Sequence, residues 1–320
     1  MQNIVSQKWL LARLYEPEQT IVDCRFTLGQ PEAGREAYTK EHIPGAVYLD
    51  LEKDLSAPAS DHGGRHPLPE PEELAGRLAK LGIGGDTRVV AYDDEGGMNA
   101  ARLWWLLRWL GHENVTVLDK GFTAWKEAGF PVDDKQAVRV PSTFVPNVQH
   151  HLLTDVNEVQ RIVGTIKAEQ IVVGVEEEMA AERGELEVDK PIQDIEVPPA
   201  VNPKVFFTPV LIDSRSHDRY LGENETMDPV GGHIPGAVNF FWKDLLREDG
   251  SYKTTEELEK HFEGIDKEAE IVVYCGSGVS ACPNVLALEQ AGFTSVRLYA
   301  GSWSDWISYE DNPVATGEEV

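Results

Sequence analysis

The chain has 320 residues, 41% of them hydrophobic, which is enough for two ordinary domains with a core each. Its formal net charge of −26 argues against binding to nucleic acid or to an anionic membrane surface, because the mean field of the protein repels phosphate. An anionic substrate must therefore meet a locally positive pocket.

The cysteines and the first residues of the chain indicate its compartment. Cys24, Cys275 and Cys282 form neither a metal-binding pair nor a disulfide framework, and so few cysteines suit a reducing compartment. The first residues lack the basic start and apolar run of a signal peptide, and no stretch approaches the length that crosses a bilayer. We expect a cytoplasmic protein with no metal, no cofactor and no membrane partner.

The first half of the chain alternates short apolar runs with helical patterns. A short amphipathic helix is predicted at 9–14 and a strand at 20–25, and the motif His-Ile-Pro-Gly-Ala-Val follows at 42–47. An apolar run at 88–93 then precedes a helical pattern at 100–110. This alternation is typical of a parallel sheet with helices on both faces.

The same order of motifs returns in the second half. A strand-like run recurs at 210–215, the motif His-Ile-Pro-Gly-Ala-Val at 233–238, and a further apolar run at 270–275. Such a repeat indicates a duplication into two similar domains. We predict an N-terminal domain at 1–140, a linker at 141–209 and a C-terminal domain at 210–320.

The predicted linker contains an acidic insertion with several prolines, at about 165–205. Because this composition does not build a core, we expect the insertion to lie outside both domains. A solvated flap or interdomain wrap is the simpler interpretation, and a partner-binding arm is the alternative.

The strongest functional signal is Cys275. A buried strand is predicted at 271–274, directly before this cysteine, and a helix at 283–290 follows it. Gly276 and Gly278 let the loop curl so that its amides point inward, and the helix adds the positive end of its dipole. Such a cradle stabilises a thiolate, which is the nucleophilic form of cysteine. An inert buried cysteine is the alternative, and the combination of strand, glycine loop and helix favours the nucleophile.

The loop at 275–281, Cys-Gly-Ser-Gly-Val-Ser-Ala, resembles the active-site loop of the rhodanese family and is most similar to its 3-mercaptopyruvate sulfurtransferase branch. The first repeat has Asp93 where the second has Cys275, which resembles the tandem-domain sulfurtransferases with an inactive N-terminal domain. The resemblance implies an α/β fold of two rhodanese-like domains, each a parallel sheet with helices on both faces. It also implies that Cys275 takes a sulfane sulfur from a small anionic donor and passes it to cyanide, a small thiol or thioredoxin.

The same resemblance assigns further site residues. Arg219 falls where the family keeps a substrate-binding arginine. Ser277 and His66 fall where the mercaptopyruvate branch has a proton-handling triad, and Glu52 aligns with its acid, with Asp50 as a nearby alternative. A bridge between the two domains is the alternative role for His66 and Glu52. The residues expected to surround the donor in the loop are Gly276, Gly278, Val279 and Ser280.

Three rival interpretations stay open. Thiosulfate as the donor is supported by Asp228, which aligns where mercaptopyruvate enzymes carry a second arginine. A non-catalytic rhodanese-like module would be the better interpretation of a chain without Cys275, and a cysteine phosphatase would need an arginine where Ala281 stands. We favour 3-mercaptopyruvate, because Gly276 and Ser277 stand where thiosulfate enzymes typically place basic residues.

Overall fold

The computed structural model describes residues 3–167 and 209–319. Nearly all of the acidic insertion predicted at 165–205 lies outside the described residues. The flap, wrap or partner-binding arm predicted there therefore stays a prediction.

The N-terminal domain is built on a five-stranded parallel sheet with the order β1-β5-β4-β2-β3. The strands are β1 (Ile4–Val5), β2 (Gln19–Asp23), β3 (Val47–Tyr48), β4 (Arg88–Tyr92) and β5 (Val115–Leu118). The helices are α1 (Gln7–Leu11), α2 (Ala33–Lys40), α3 (Pro71–Lys80), α4 (Met98–Trp109) and α5 (Gly121–Glu127). Strands such as β4 are apolar and almost wholly buried, as expected for a parallel sheet that is covered on both faces.

The C-terminal domain repeats this architecture with the strand order β6-β10-β9-β7-β8. Its strands are β6 (Leu153–Thr154), β7 (Val210–Asp213), β8 (Ala237–Asn239), β9 (Ile271–Tyr274) and β10 (Val296–Tyr299). Its helices are α6 at 156–167, α7 (His217–Leu221), α8 (Thr255–His261), α9 (Cys282–Gln290) and α10 (Ser302–Trp306).

The two sheets match strand for strand, and the predicted fold class is confirmed. Helices cover both faces of each sheet. In the N-terminal domain α3 and α4 pack on one face, whereas Leu10 of α1, Tyr38 of α2 and Trp125 of α5 pack on the other. In the C-terminal domain α9 covers one face, and α6 and α10 cover the other.

The edge strand β6 and helix α6 lie in a stretch that we predicted as linker. Leu298 and Tyr299 of β10 pair with Leu153 and Thr154 of β6, so this part of the chain belongs to the second sheet. The C-terminal domain is therefore assembled from segments on both sides of residues 168–208.

The two domains share one hydrophobic core. Helix α4 packs against α9, and the core continues through both helices. Trp104 and Trp105 of α4 are almost completely buried and pack within this core. This contact holds the N-terminal domain against the loop that precedes α9. In the part of the chain that the structure describes, every helix is too short or too polar to span a bilayer.

Candidate active site

Cys275 follows β9 directly and lies in a loop that hydrogen bonds hold in place. The Gly278 N–H points at the Cys275 sulfur at 3.2 Å, and the Cys275 N–H donates to the Ser302 hydroxyl at 3.1 Å. Gly278 has a φ of 76° and its hypothetical Cβ would lie 2.2 Å from the Ala300 carbonyl oxygen, so only glycine fits there. Cys275 itself is 1% exposed, and a donor must therefore enter the protein to reach it.

The corresponding loop of the N-terminal domain shows what such a backbone binds. Asp93 occupies the position of Cys275, and its buried carboxylate accepts four backbone hydrogen bonds of 2.8–2.9 Å. The donors are the N–H groups of Glu95, Gly97, Asn99 and Ala100. Burial raises the pKa of Asp93 to about 6 in spite of these bonds. The backbone N–H groups of this repeated loop therefore form a binding site for an anion. In the first domain the bound anion is the carboxylate of the protein's own Asp93.

His66 reaches across from the N-terminal domain to the loop of Cys275. Its Nδ1 lies 2.8 Å from the Ser277 hydroxyl oxygen, and both side chains are buried. Burial, together with the charges of Arg102 and Arg65, lowers the pKa of His66 to about 4. The imidazole is consequently neutral at pH 7, and a neutral ring can accept a proton from a bound molecule.

Glu52 does not join this pair. Its side chain is exposed, and among the described residues it forms no hydrogen bond with His66. The alternative, Asp50, is buried, but its carboxylate accepts the N–H groups of Glu52 and Lys53 and the hydroxyl of Tyr48. The turn therefore points Asp50 at its own backbone and Glu52 toward solvent. The expected triad is present as a Ser277–His66 pair only.

Arg219, the predicted substrate-binding arginine, lies beside the loop. Its Nη1 and Nη2 lie 3.6 and 3.5 Å from the position that a Cβ on Gly276 would take. The guanidinium donates to Glu225 at 2.9 and 3.0 Å and to Asp228 at 3.1 Å. Burial would raise the pKa of Glu225, but hydrogen bonds from Arg219 and two backbone amides lower it. Arg219 is thus held in place by carboxylates and aimed at the loop.

Sequence reasoning missed two arginines of this site. Arg65 stands directly before His66 and is ion-paired with Asp228. Arg102 is buried under the loop, where it donates to the carbonyl oxygens of Gly278 at 3.0 Å and His66 at 3.1 Å. The available signals were a basic residue adjacent to His66 and an arginine in the middle of the largely apolar helix α4. Arg102 thereby ties the histidine segment to the cysteine loop.

A cavity of about 370 Å³ lies at the domain interface, beside the loop of Cys275. Its polar lining comes from both domains and consists of Thr27, Arg65, His66, Glu95, Arg219, Ser277 and Ser280. Its apolar lining includes Phe26, Leu51, Met98, Met227, Trp242 and Val279. Burial and then Asp93 raise the pKa of Glu95 to about 7, which makes this carboxyl less negative at neutral pH. The cavity thus contains two guanidinium groups, both paired with carboxylates, although the chain as a whole is acidic.

The remaining cysteines and repeated histidines have packing roles. All three cysteines, which lie in the described part of the chain, are free. Burial raises the pKa of Cys282 to about 12, and its thiol donates to the Gly278 carbonyl oxygen at 3.3 Å. His42 and His233 are buried and contact the backbone oxygens of the preceding helices in the same way in both domains. Within residues 3–167 and 209–319, no group of three His, Cys, Asp or Glu residues is arranged to hold a metal ion.

Comparisons with known proteins agree with this geometry. The family model described as "Rhodanese-like domain" matches residues 6–128 and 201–309. A Pseudomonas aeruginosa protein named "Probable 3-mercaptopyruvate sulfurtransferase" is 40% identical over 320 residues, or 98% of each chain. The thiosulfate sulfurtransferase of Bos taurus is 31% identical over 95% of this chain and 91% of its own. The crystal structure of SseA from Escherichia coli, a 3-mercaptopyruvate sulfotransferase, superposes with a TM-score of 0.74 and 29% identity, covering 95% of this chain and 100% of that one.

Proposed function

The chain is a sulfurtransferase that belongs to the rhodanese-like domain family, and we propose that it takes its sulfur from 3-mercaptopyruvate through a persulfide on Cys275. The observation that carries the choice of donor is the 2.8 Å contact between His66 Nδ1 and Ser277 Oγ in the cavity beside that cysteine. A hydroxyl and a neutral imidazole in contact can exchange a proton with a substrate.

In the first step the Cys275 thiolate attacks the sulfur of the donor. A sulfur–sulfur bond forms, the carbon–sulfur bond breaks, and its electron pair leaves on carbon as the enolate of pyruvate. The proton of the donor thiol passes through the Ser277–His66 pair to the enolate carbon, which gives pyruvate and a persulfide anion on Cys275. Charge and protons balance without any further reactant. The loop amides hold the persulfide anion, as the equivalent amides hold the carboxylate of Asp93 in the first domain.

In the second step an acceptor attacks the outer sulfur of the persulfide. A thiolate or cyanide forms a bond to that sulfur, the sulfur–sulfur bond breaks, and its electron pair returns to Cys275 as the thiolate. Among protein acceptors we propose thioredoxin, because a dithiol can release the transferred sulfur as sulfide by forming its own disulfide. The three free thiols support a reducing compartment, and we propose the cytoplasm.

Thiosulfate is the second candidate donor. It is favoured by Asp228, a carboxylate where a second arginine would hold the carboxylate of mercaptopyruvate. Attack on thiosulfate releases sulfite, which leaves with the electron pair and needs no proton from the protein. A proton relay beside Cys275 would serve no purpose in that reaction, so the Ser277–His66 contact supports mercaptopyruvate.

The test is a side-by-side measurement of kcat/KM with 3-mercaptopyruvate and with thiosulfate, using cyanide as the common acceptor. We expect a clear preference for 3-mercaptopyruvate. A preference for thiosulfate would indicate that thiosulfate, and not 3-mercaptopyruvate, is the donor. Failure to transfer sulfur from either donor would favour a non-catalytic rhodanese-like module, and turnover of an aryl phosphate would contradict the whole assignment.

A further inference from the structure

Asp228 lies between Arg65 and Arg219, the two arginines beside the cavity. One carboxylate oxygen pairs with Nη1 of Arg65, and the other accepts from Nη2 of Arg219 at 3.1 Å. The two arginines come from different domains and meet on this single carboxylate. A planar carboxylate that bridges two guanidinium groups has the geometry that these groups would offer to the carboxylate of a substrate.

Both guanidinium groups also face the cysteine loop. Nη2 of Arg65 lies 2.8 Å from the position of a hypothetical Cβ on Gly276, and Nη2 of Arg219 lies 3.5 Å from it. The Nε of Arg65 is buried and makes no hydrogen bond to the described residues, so this side chain retains an unused donor. Arg65 is therefore placed as a second cation for the donor, although it is contributed by the N-terminal domain.

The charges on this side of the cavity cancel. Arg65 and Arg219 carry two positive charges, and Asp228 and Glu225 carry two negative ones, so an incoming anion meets little net attraction. The side chain of Asp228 is 3% exposed, and burial raises its pKa in spite of both arginines. Its neighbour Met227 is 43% exposed, so the segment that carries Asp228 lies at the protein surface.

We propose that Arg65 and Arg219 form a two-domain clamp for the carboxylate of the donor, and that Asp228 occupies the clamp until a donor replaces it. The proposal rests on the proposed function for the identity of the donor. Asp228 thereby raises the KM for anionic donors and excludes weakly bound anions from the cavity. Arg65 supplies the second positive charge, because Asp228 occupies the position where a second arginine was expected.

The central test uses Asp228→Asn, which keeps the shape of the side chain and removes its charge. The matched control is Asp249→Asn, because Asp249 forms another ion pair across the two domains, with Lys120 at 2.6 Å, away from the cavity. We expect Asp228→Asn to lower the KM for 3-mercaptopyruvate about tenfold, the equivalent of ~1.4 kcal/mol. Asp249→Asn should leave it unchanged. Arg65→Gln should raise the KM, and it should shrink the effect of Asp228→Asn in the double variant, since the two residues share one contact.

A binding measurement separates this proposal from the proposed function. Pyruvate carries the same carboxylate but no sulfur, so its affinity for the full-length protein by calorimetry does not depend on sulfur transfer. We expect Asp228→Asn to bind pyruvate about tenfold more tightly than the wild type. An unchanged or weaker affinity, or an unchanged or higher KM, would overturn the clamp and make Asp228 a support for the arginines. Absence of turnover in the wild type with improved pyruvate binding in the variant would instead refute the proposed function alone.

Discussion

Replacing Ser277 by alanine distinguishes the two candidate donors. The substitution removes one hydroxyl from the cavity and leaves the backbone of the loop and Cys275 in place. It breaks the 2.8 Å contact with His66 Nδ1. If this pair carries the proton from the donor thiol to the enolate carbon, the variant must use water instead, which the buried site admits poorly.

The size of the effect follows from the chemistry of the leaving group. Positioned acid–base groups accelerate a proton transfer about 100-fold to 10,000-fold, so kcat/KM with 3-mercaptopyruvate should fall by that factor, or ~2.7 to 5.5 kcal/mol. With thiosulfate the same variant should lose no more than a few-fold, because sulfite leaves as an anion. Loss of a hydrogen bond to a buried imidazole should also cost about 1 to 3 kcal/mol of folding stability.

The assay is steady-state kinetics with each donor and cyanide as acceptor. Ser308→Ala is a matched control, because Ser308 Oγ contacts His62 Nδ1 at the same 2.8 Å across the two domains but on the exposed surface. It should leave both reactions unchanged. Equal losses with the two donors in Ser277→Ala would refute the proton relay, since a general disturbance of the loop would account for them.

The remaining predictions concern charge and stability. Arg219→Ala should remove charge-assisted hydrogen bonds to either anionic donor, weaken donor binding by ~1.5 to 3 kcal/mol and thereby raise the KM; an unchanged KM would show that Arg219 does not bind the donor. The pKa of His66 is near 6.5 in the unfolded chain, and burial with the charges of Arg102 and Arg65 lowers it to about 4 in the folded protein. Stability should therefore fall by ~3 kcal/mol as pH drops through this window, and His66→Asn should flatten that part of the urea-unfolding profile; an equally steep profile in the variant would contradict the pKa. Asp93→Ala leaves four backbone N–H donors, three of them in buried hydrogen bonds, without their acceptor and should lower the free energy of unfolding by at least ~3 kcal/mol, whereas a smaller loss would mean that the loop finds other partners.

The parts of the fold that the sequence predicted are those encoded locally. A run of four apolar residues, a glycine loop and a helix with proline in its first turn lie next to one another in the chain, and the structure has β9, the loop of Cys275 and α9 there. Because the order of motifs repeats, the prediction of one parallel sheet led directly to the prediction of the second. The two-residue strand β6 was not predicted, because so short a segment has no periodicity to detect.

The site was predictable only in part because much of it is made of distant contacts. Arg65 and Asp228 are separated by 163 residues, and Arg102 and Gly278 by 176, so no local pattern brings them together. Glu52 and Asp50 are only two positions apart in the chain. Which carboxylate is free to approach His66 depends on which one accepts hydrogen bonds from the backbone of its own turn. That choice is made by backbone geometry, which residue types alone do not determine.

The proposed mechanism depends on Cys275 as the carrier of the transferred sulfur. It is tested most directly by mass spectrometry of the full-length protein after incubation with 3-mercaptopyruvate in the absence of an acceptor. We expect a gain of one sulfur atom, located on the peptide that contains Cys275, lost on addition of cyanide and absent in Cys275→Ser. A protein that gains no sulfur, or that carries it on Cys24 or Cys282, would refute the persulfide mechanism.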